Sequence, residues 1–402
     1  MDSKKYSIRD YYFWRISLCL ALASFFIFAS LYVVQPLLPL FVREFSVSVS
    51  EATLTLSMTI IGLIIGLIIL GFFSDRIGRV SLIKYTLAGS VIPFLFIPMM
   101  DSFYMIVLLR FIQGFLLAGL PAASLAYLSE EIDRKSIGIA TALYIASNAL
   151  GGMVGRVAAG YLTDVYSWEF VFYIFTTAGI VISALVFIFL PKSRFFKVNN
   201  LPFRKDLEGM AFHLKDPMML IVIGMGVVLQ FSFTSIWTYL PFHLEAEPFL
   251  LSVKTISYTF FAYGFGVVGA PFAGWLAGNL GLKAIRIAGV IILSGGILMT
   301  LSLSLPLIII GLCISCLGFF TAHSLTAITV TEQATHHKGS ASSLYLVAYY
   351  IGVTMGSSAV GPIWNAAGWN AVVILAGVVP IAYLSLVLLY QKRSSKKRHN
   401  YI

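Results

Sequence analysis

The chain has 402 residues, 59% of them hydrophobic and only 11% charged, with a formal net charge of +10 and a mean hydropathy of +0.92. Soluble domains are about 45–50% apolar and about 25% charged, so this composition excludes a soluble enzyme, a disordered chain and a nucleic-acid binder. The cysteines Cys19, Cys313 and Cys316 all lie in apolar runs, which gives neither a disulfide framework nor a metal site.

A membrane helix needs about 20 mostly apolar residues to cross about 30 Å of hydrocarbon. Such runs, broken by charges, Pro and Gly, predict spans 1 to 6 at 16–40, 52–73, 80–99, 103–127, 138–162 and 169–190. Spans 7 to 12 follow at 217–241, 254–277, 283–304, 307–331, 338–362 and 370–390. The runs are continuous rather than alternating, which disfavours a transmembrane barrel. The first run is too long for a cleaved signal and lacks a small-residue cleavage pattern; Tyr11, Tyr12, Phe13 and Trp14 before it suit a headgroup-level belt.

Charge sets the expected orientation. With the N-terminus inside, only Arg43 and Lys254 fall on the outer side and Arg110 and Arg156 within spans; the other Lys and Arg residues fall on the cytoplasmic side. The basic excess therefore reports topology and anionic lipid, with no nucleic acid as partner. The second half repeats the first at a shift of 201 residues: Gly138 to Tyr144 returns as Gly339 to Tyr345, and Gly151, Gly155, Gly160 and Trp168 return as Gly352, Gly356, Gly361 and Trp369. Six spans is an even number, so both copies enter the bilayer with the same polarity, as in parallel repeats. The expected fold class is an all-α membrane protein of 12 transmembrane helices in two pseudo-symmetric six-helix bundles. Residues 1–15 form a cytoplasmic segment, 16–190 the first bundle, 191–216 a cytoplasmic linker, 217–390 the second bundle and 391–402 a basic cytoplasmic tail.

In chain order, the first motif is Gly71-Phe72-Phe73-Ser74-Asp75-Arg76-Ile77-Gly78-Arg79, between spans 2 and 3. Its glycines permit close helix approach and a tight turn, and Asp75 can accept from a helix N-terminus or an arginine while Arg76 and Arg79 hold the inner face. Gly71, Asp75, Arg76, Gly78 and Arg79 are the candidate gate. The echo Gly274 to Lys283 keeps the glycine frame but has Gly278 for the acid, so one half carries the charged latch.

Span 4 carries Arg110, with Gln113 and Gly114 on its face. An arginine in hydrocarbon costs about 2.5–3.5 kcal/mol even on the lenient scale, so it should face a cavity or a partner. Span 5 holds Gly151-Gly152-Met153-Val154-Gly155-Arg156, in which Gly151, Gly155 and Ala159 form a small-residue seam beside the cation. Asn148, Gln230, His323, Tyr349 and Tyr350 fall near mid-span. One such group is usually helix–helix glue, but several at one depth fit a substrate cavity. His323 is a residue type that titrates near neutral pH, with a packing role as the alternative. Glu51, Glu130, Glu131 and Glu332 lie only at helix ends, so the proton-coupling candidates are Glu130, Glu131 and His323. Gly264 to Gly269 matches G-x-G-x-x-G inside span 8 without the strand or acid a dinucleotide site needs, and there is no phosphate-binding G-x-x-x-x-G-K-[ST]. No cofactor and no metal are expected; a proton gradient is the expected energy source.

These residues resemble the major facilitator superfamily over essentially the whole chain. Gly71 to Arg79 resembles its loop motif between helices two and three; Arg110, Gln113 and Gly114 resemble its fourth-helix motif, proposed in the family to assist proton transfer; Gly151 to Gly160 resembles its fifth-helix antiporter motif, with Gly155-Arg156 in place of the usual G-P pair. The stretches Tyr32 to Pro39 (with Gln35), Tyr127 to Ile132, Gly318 to Ser324 and Lys338 to Tyr345 are similar to the YnfM-like inner-membrane transporters. The resemblance implies a twelve-helix bundle working by alternating access in proton-coupled efflux of small organic compounds. A multi-pass protein of the cytoplasmic membrane is expected: a monomer, because the two-half design needs no second copy, and not an enzyme, because no cluster of buried acids, histidines or a nucleophile–base pair is present in the spans. Gln35, Arg110, Gln113, Asn148, Arg156, Gln230, His323 and Tyr349 are the candidate substrate-binding residues. Two rivals stand beside it: an anion or organic-acid transporter (uniport, symport or exchange) using Arg110 and Arg156, and a membrane sensor or scaffold that moves nothing.

Overall fold

The computed structural model describes residues 5–198, 203–334, 336 and 338–399; residues 199–202 of the linker and 400–402 of the tail lie outside the described residues. It is all-α. Among the described residues there is no strand, and the one isolated bridge joins Tyr6 to Ile132. Eleven stretches among the described residues are long and apolar enough to cross a bilayer, where a helix is the fold that satisfies every backbone group within its own segment. The expected eleventh span is the one that does not register as a single long helix. Lys338–Thr354 gives way to a π-helical turn, Met355–Ala359, where the Ser357 hydroxyl donates to the carbonyls of Val353 (2.9 Å) and Thr354 (3.1 Å). That side chain competes with the helical ladder, a recognised cause of local unwinding.

The chain divides into two compact units, Met1–Phe203 with Leu250–Phe261, and Arg204–Phe249 with Ala262–Ile402. Inside each unit the same helices pair. Span 1 (Tyr11–Tyr32) packs on span 5 (Ile137–Val165), span 2 (Leu54–Ile77) on span 4 (Phe103–Leu117), and span 3 (Arg79–Phe96) on span 6 (Trp168–Phe189). In the second unit span 7 (Pro217–Glu245) packs on span 11, span 8 (Tyr263–Leu280) on span 10 (Leu305–Gln333), and span 9 (Leu282–Met299) on span 12, which lies within Gly361–His399 beyond the chain's kink at Gly368 (φ +67°). The repeat in the sequence is thus a repeat in packing.

Small residues make the first of these pairings close. A Cβ on Gly155 would lie 2.7 Å from the Ala29 carbonyl oxygen, and its counterpart Gly356 faces the Phe231 carbonyl in the same way. Backbone-to-backbone approach of this kind supplies packing where the hydrophobic effect between helices is absent. Gly78 and Gly281 serve the other need, reversal of the chain: at φ +105° and +91° they end spans 2 and 8 and begin spans 3 and 9, a region open to glycine at no steric cost. At Gly71 a Cβ would meet nothing within 4 Å, so the close approach expected there is not seen.

Span 1 is broken. After Tyr32 the chain forms a short 3₁₀ turn, Gln35–Leu37, and resumes as Leu38–Phe45. Pro36 and Pro39 supply no N–H and disfavour helical geometry before them, so carbonyls at the end of the first segment lose their helical partners.

Candidate functional site

Both buried arginines of the first unit converge on that break. Arg110 is fully buried. Its guanidinium donates to the carbonyls of Ser30 (3.0 Å), Leu31 (2.8 Å) and Thr55 (3.3 Å) and to the Gln113 side chain, which itself donates to the Ser90 carbonyl at 3.1 Å. Ser30 and Leu31 lie in the last turn of the first segment, where a cation meets orphan acceptors and the negative end of the helix dipole. Arg110 is therefore a clamp on spans 1 and 2, with Gln113 fixing its orientation.

Arg156 reaches the break from span 5. Its Nε donates to Gln35 Oε1 at 2.6 Å and an Nη to the Gly152 carbonyl at 2.6 Å. The guanidinium carbon stands 4.0 Å from the Tyr32 ring centre and 5.3 Å from that of Phe260, cation–π geometry that stabilises a desolvated cation. Arg156 is 3% and Gln35 1% exposed, so the pair is desolvated beside the break.

Below this pair lies a polar hub. The Ser24 hydroxyl donates to the Asn148 amide oxygen, and the buried Tyr144 stands one turn before Asn148 on the same helix. The 201-residue shift carries Tyr144 and Asn148 onto Tyr345 and Tyr349, and the second unit builds its hub there. Tyr345 Oη lies 2.8 Å from His323 Nδ1. The imidazole is nearly parallel to Phe319 (centroids 5.4 Å apart) and 4.9 Å from the Tyr349 ring, and Phe319 stacks on Phe233 at 4.0 Å. A histidine and aromatic rings occupy the place taken by a serine and an amide in the first unit. Gln230 stands apart, donating to Thr234 Oγ1 at 3.1 Å while its own Oε1 is buried without a hydrogen bond.

The loop motif forms its latch inside the first unit. Arg79 pairs with Asp75, reaches Ser74 Oγ at 2.9 Å, and pairs with Glu130 at 3.2 Å. Arg76 instead caps its own helix at the Phe72 carbonyl (2.8 Å) and lies over the Phe72 ring.

Glu131 belongs to a different assembly. It is fully buried at the C-terminal end of its helix, where a carboxylate opposes the dipole and needs donors. It has four, from Ser193 Oγ (2.8 Å), Arg194 N (2.5 Å), Arg194 Nε (3.1 Å) and Phe195 N (3.2 Å). Tyr6 completes the clasp: it pairs with the backbone of Glu131 and Asp133 (2.8 and 2.9 Å), and Arg194 lies 3.6 Å over its ring. Desolvation pushes the Tyr6 phenol up, with the Arg194 charge opposing, and the Ser136 hydrogen bond holds Asp133 below its ordinary value. Glu131→Gln turns one acceptor into a donor facing Arg194, so it is expected to cost about 2–3 kcal/mol. Limited proteolysis should then cut within 192–198 faster than in the wild type.

The structure thus joins Gln35 to Arg156, Arg110 to Gln113, and His323 to Tyr349, while Asn148 bonds Ser24 of span 1 and Gln230 bonds Thr234 one turn on in its own helix. Sequence reasoning missed Tyr144, Tyr345 and Ser24; the signal that would have found the first two is their recurrence at the 201-residue shift.

The matches to known proteins agree with this architecture. The family model described as Major Facilitator Superfamily matches residues 20–357 and 222–401. The inner membrane transport protein YnfM of Escherichia coli (strain K12) is 32% identical over 387 residues, 96% of this chain and 92% of the relative. The uncharacterized MFS-type transporter YybF of Bacillus subtilis (strain 168) is 32% identical over 378 residues, 94% of this chain and 92% of the relative. A bacterial homologue of the human lysosomal transporter Spinster, solved in an inward-facing and unoccupied conformation, superimposes with a TM-score of 0.77 at 16% identity, covering 94% of this chain and 95% of that one. On its family match, its full-length relatives and its helical repeat, the chain belongs to the major facilitator superfamily.

Proposed function

We propose that the chain is a secondary transporter of the cytoplasmic membrane that works by alternating access as a monomer, with both termini and the linker inside, and exports small organic compounds in exchange for protons. The observation that carries this reading is the presence, inside the spans of each unit, of a hydrogen-bonded polar hub near repeat-related positions: Asn148 with Ser24 beside the buried Tyr144, and Tyr345 with His323. Polar groups are expensive in hydrocarbon and mark transport pathways. The biased distribution of Lys and Arg supports the orientation.

Of the three proton-coupling candidates, Glu131 serves the clasp and Glu130 the latch, so His323 is assigned the carrier role. On taking a proton, both ring nitrogens become donors, so the Tyr345 hydroxyl at Nδ1 must then accept. One proton entering down 100 mV supplies about 2.3 kcal/mol. Purified protein in vesicles with an internal pH dye and a compound panel tests this. The wild type is expected to move protons when a substrate is added, and His323→Gln to lose that coupling by about tenfold or more. Wild-type proton movement in His323→Gln would remove the carrier assignment, and no substrate-dependent proton movement in the wild type would remove exchange altogether.

A second reading is favoured by one observation, the desolvated guanidinium of Arg156 beside Gln35. It makes the substrate an organic anion, and its test is argued below.

A further inference from the structure

Each unit has a groove in which cations stand above apolar side chains, and the two grooves occupy repeat-related places. In the first unit a cavity of about 430 Å³ lies between the start of span 3 and the end of span 6, with Arg79, Lys84 and Lys192 around it and Val80, Phe187 and Phe196 as its apolar wall. In the second unit a narrower groove lies between the starts of spans 7 and 9 and the end of span 12, with Lys283 and Arg286 above Val222, Val290, Leu384 and Leu388. Spans 3 and 6 correspond to spans 9 and 12 in the repeat. No described residue lining either groove is acidic.

The cations are held in place. Lys84 Nζ donates to the carbonyls of Phe187 and Leu190, both at 3.0 Å, which anchors the ammonium at the negative end of span 6 and leaves one of its three donors over. Lys283 Nζ bonds Gln391 Oε1 at 2.9 Å, and Arg286 bonds Thr329 Oγ1 at 2.7 Å. Arg79 is balanced by Asp75 and Glu130, so Lys84 and Lys192 supply the excess charge in the first groove. Tyr85, 71% exposed, meets Phe187 edge-on at the same cavity, an aromatic pairing suited to the headgroup level.

We propose that these two grooves are binding sites for anionic phospholipids, with the phosphate on the Lys84/Lys192 or Lys283/Arg286 cations and an acyl chain along the apolar wall. Charge complementarity selects the anionic headgroup, and the continuous apolar floor selects a lipid over a free anion. The assignment is independent of the compound that the chain transports and of its direction.

Native mass spectrometry of the full chain in detergent, with phosphatidylglycerol or phosphatidylcholine added at equal concentration, tests it. The wild type is expected to retain two phosphatidylglycerol molecules, each about tenfold or more tighter than phosphatidylcholine. Lys84→Gln/Lys192→Gln removes one and Lys283→Gln/Arg286→Gln the other. Lys84→Arg/Lys192→Arg and Lys283→Arg, which keep the charge, retain both, and so does the control Arg134→Gln/Lys135→Gln, which removes two charges outside either groove. Lys192→Gln alone, at an exposed side chain, weakens the first site even if the double variant does not fold. Equal retention of both lipids, an equal loss in the control pair, or undiminished retention in the groove variants overturns the proposal. Displacement by inorganic phosphate at the same concentration overturns the lipid assignment in favour of a free anion.

Discussion

Arg110→Leu is expected to destabilise the folded protein by about 3–5 kcal/mol, the range found when one partner is removed from a buried charged network. The guanidinium serves three backbone carbonyls and the Gln113 amide at once. Leucine leaves the buried Ser30 and Leu31 carbonyls without the donors that the guanidinium supplies, and each unsatisfied acceptor costs about 1–3 kcal/mol. Arg110→Lys is expected to recover little of this, because a point charge cannot spread over acceptors that a planar fork reaches together. Thermal unfolding of the solubilised protein measures it. A melting temperature within a degree or two of wild type for Arg110→Leu would show that the break in span 1 holds itself. The same clamp explains why a cation is tolerated at full burial: its neutralisation is spread over helix dipoles and carbonyls.

How much of this was legible in the sequence depends on whether the partner is a side chain. The spans, the repeat and the glycine seams could be read directly. A bilayer demands continuous apolar runs, duplication preserves spacing, and Gly155 and Gly356 must be small because a carbonyl lies against each. The latch between Asp75 and Arg79 was legible for the same reason, both partners being in one motif. The carbonyls that receive Arg110 carry no sequence signature, since any residue supplies one, so its role as a clamp emerged only from the break in span 1. Glu131 read as a helix-end acid; its donors come from residues 193 to 195 and its backbone partner from Tyr6, separations that no local pattern encodes. The π turn at Met355–Ala359 was hidden because Ser357 and Gly356 are ordinary residues for a membrane helix, and the unwinding follows from how they bond.

Arg156→Ala separates the two readings of the substrate, and the separation is expected to be large. If the guanidinium holds an organic anion, removing it deletes a desolvated charge-assisted contact of about 2–5 kcal/mol, which lowers anion flux at subsaturating concentration by about 30-fold to several thousandfold. A neutral or cationic compound makes no such contact, and its flux should change by less than about threefold. Arg156→Lys keeps the charge but cannot reach Gln35 and Gly152 as the planar group does at 2.6 Å each, so it should restore part of the anion flux and not all of it. Loss of stability is distinguished by measuring melting temperatures alongside flux. Unchanged anion flux in Arg156→Ala, in protein that melts like wild type, would leave the cation with a packing role on Tyr32 and Phe260 and would end the anion reading. A collapse of anion flux with cation flux intact would instead make the break in span 1 the place where the substrate's charge is read, because Gln35, in the turn at that break, holds the Arg156 guanidinium at 2.6 Å.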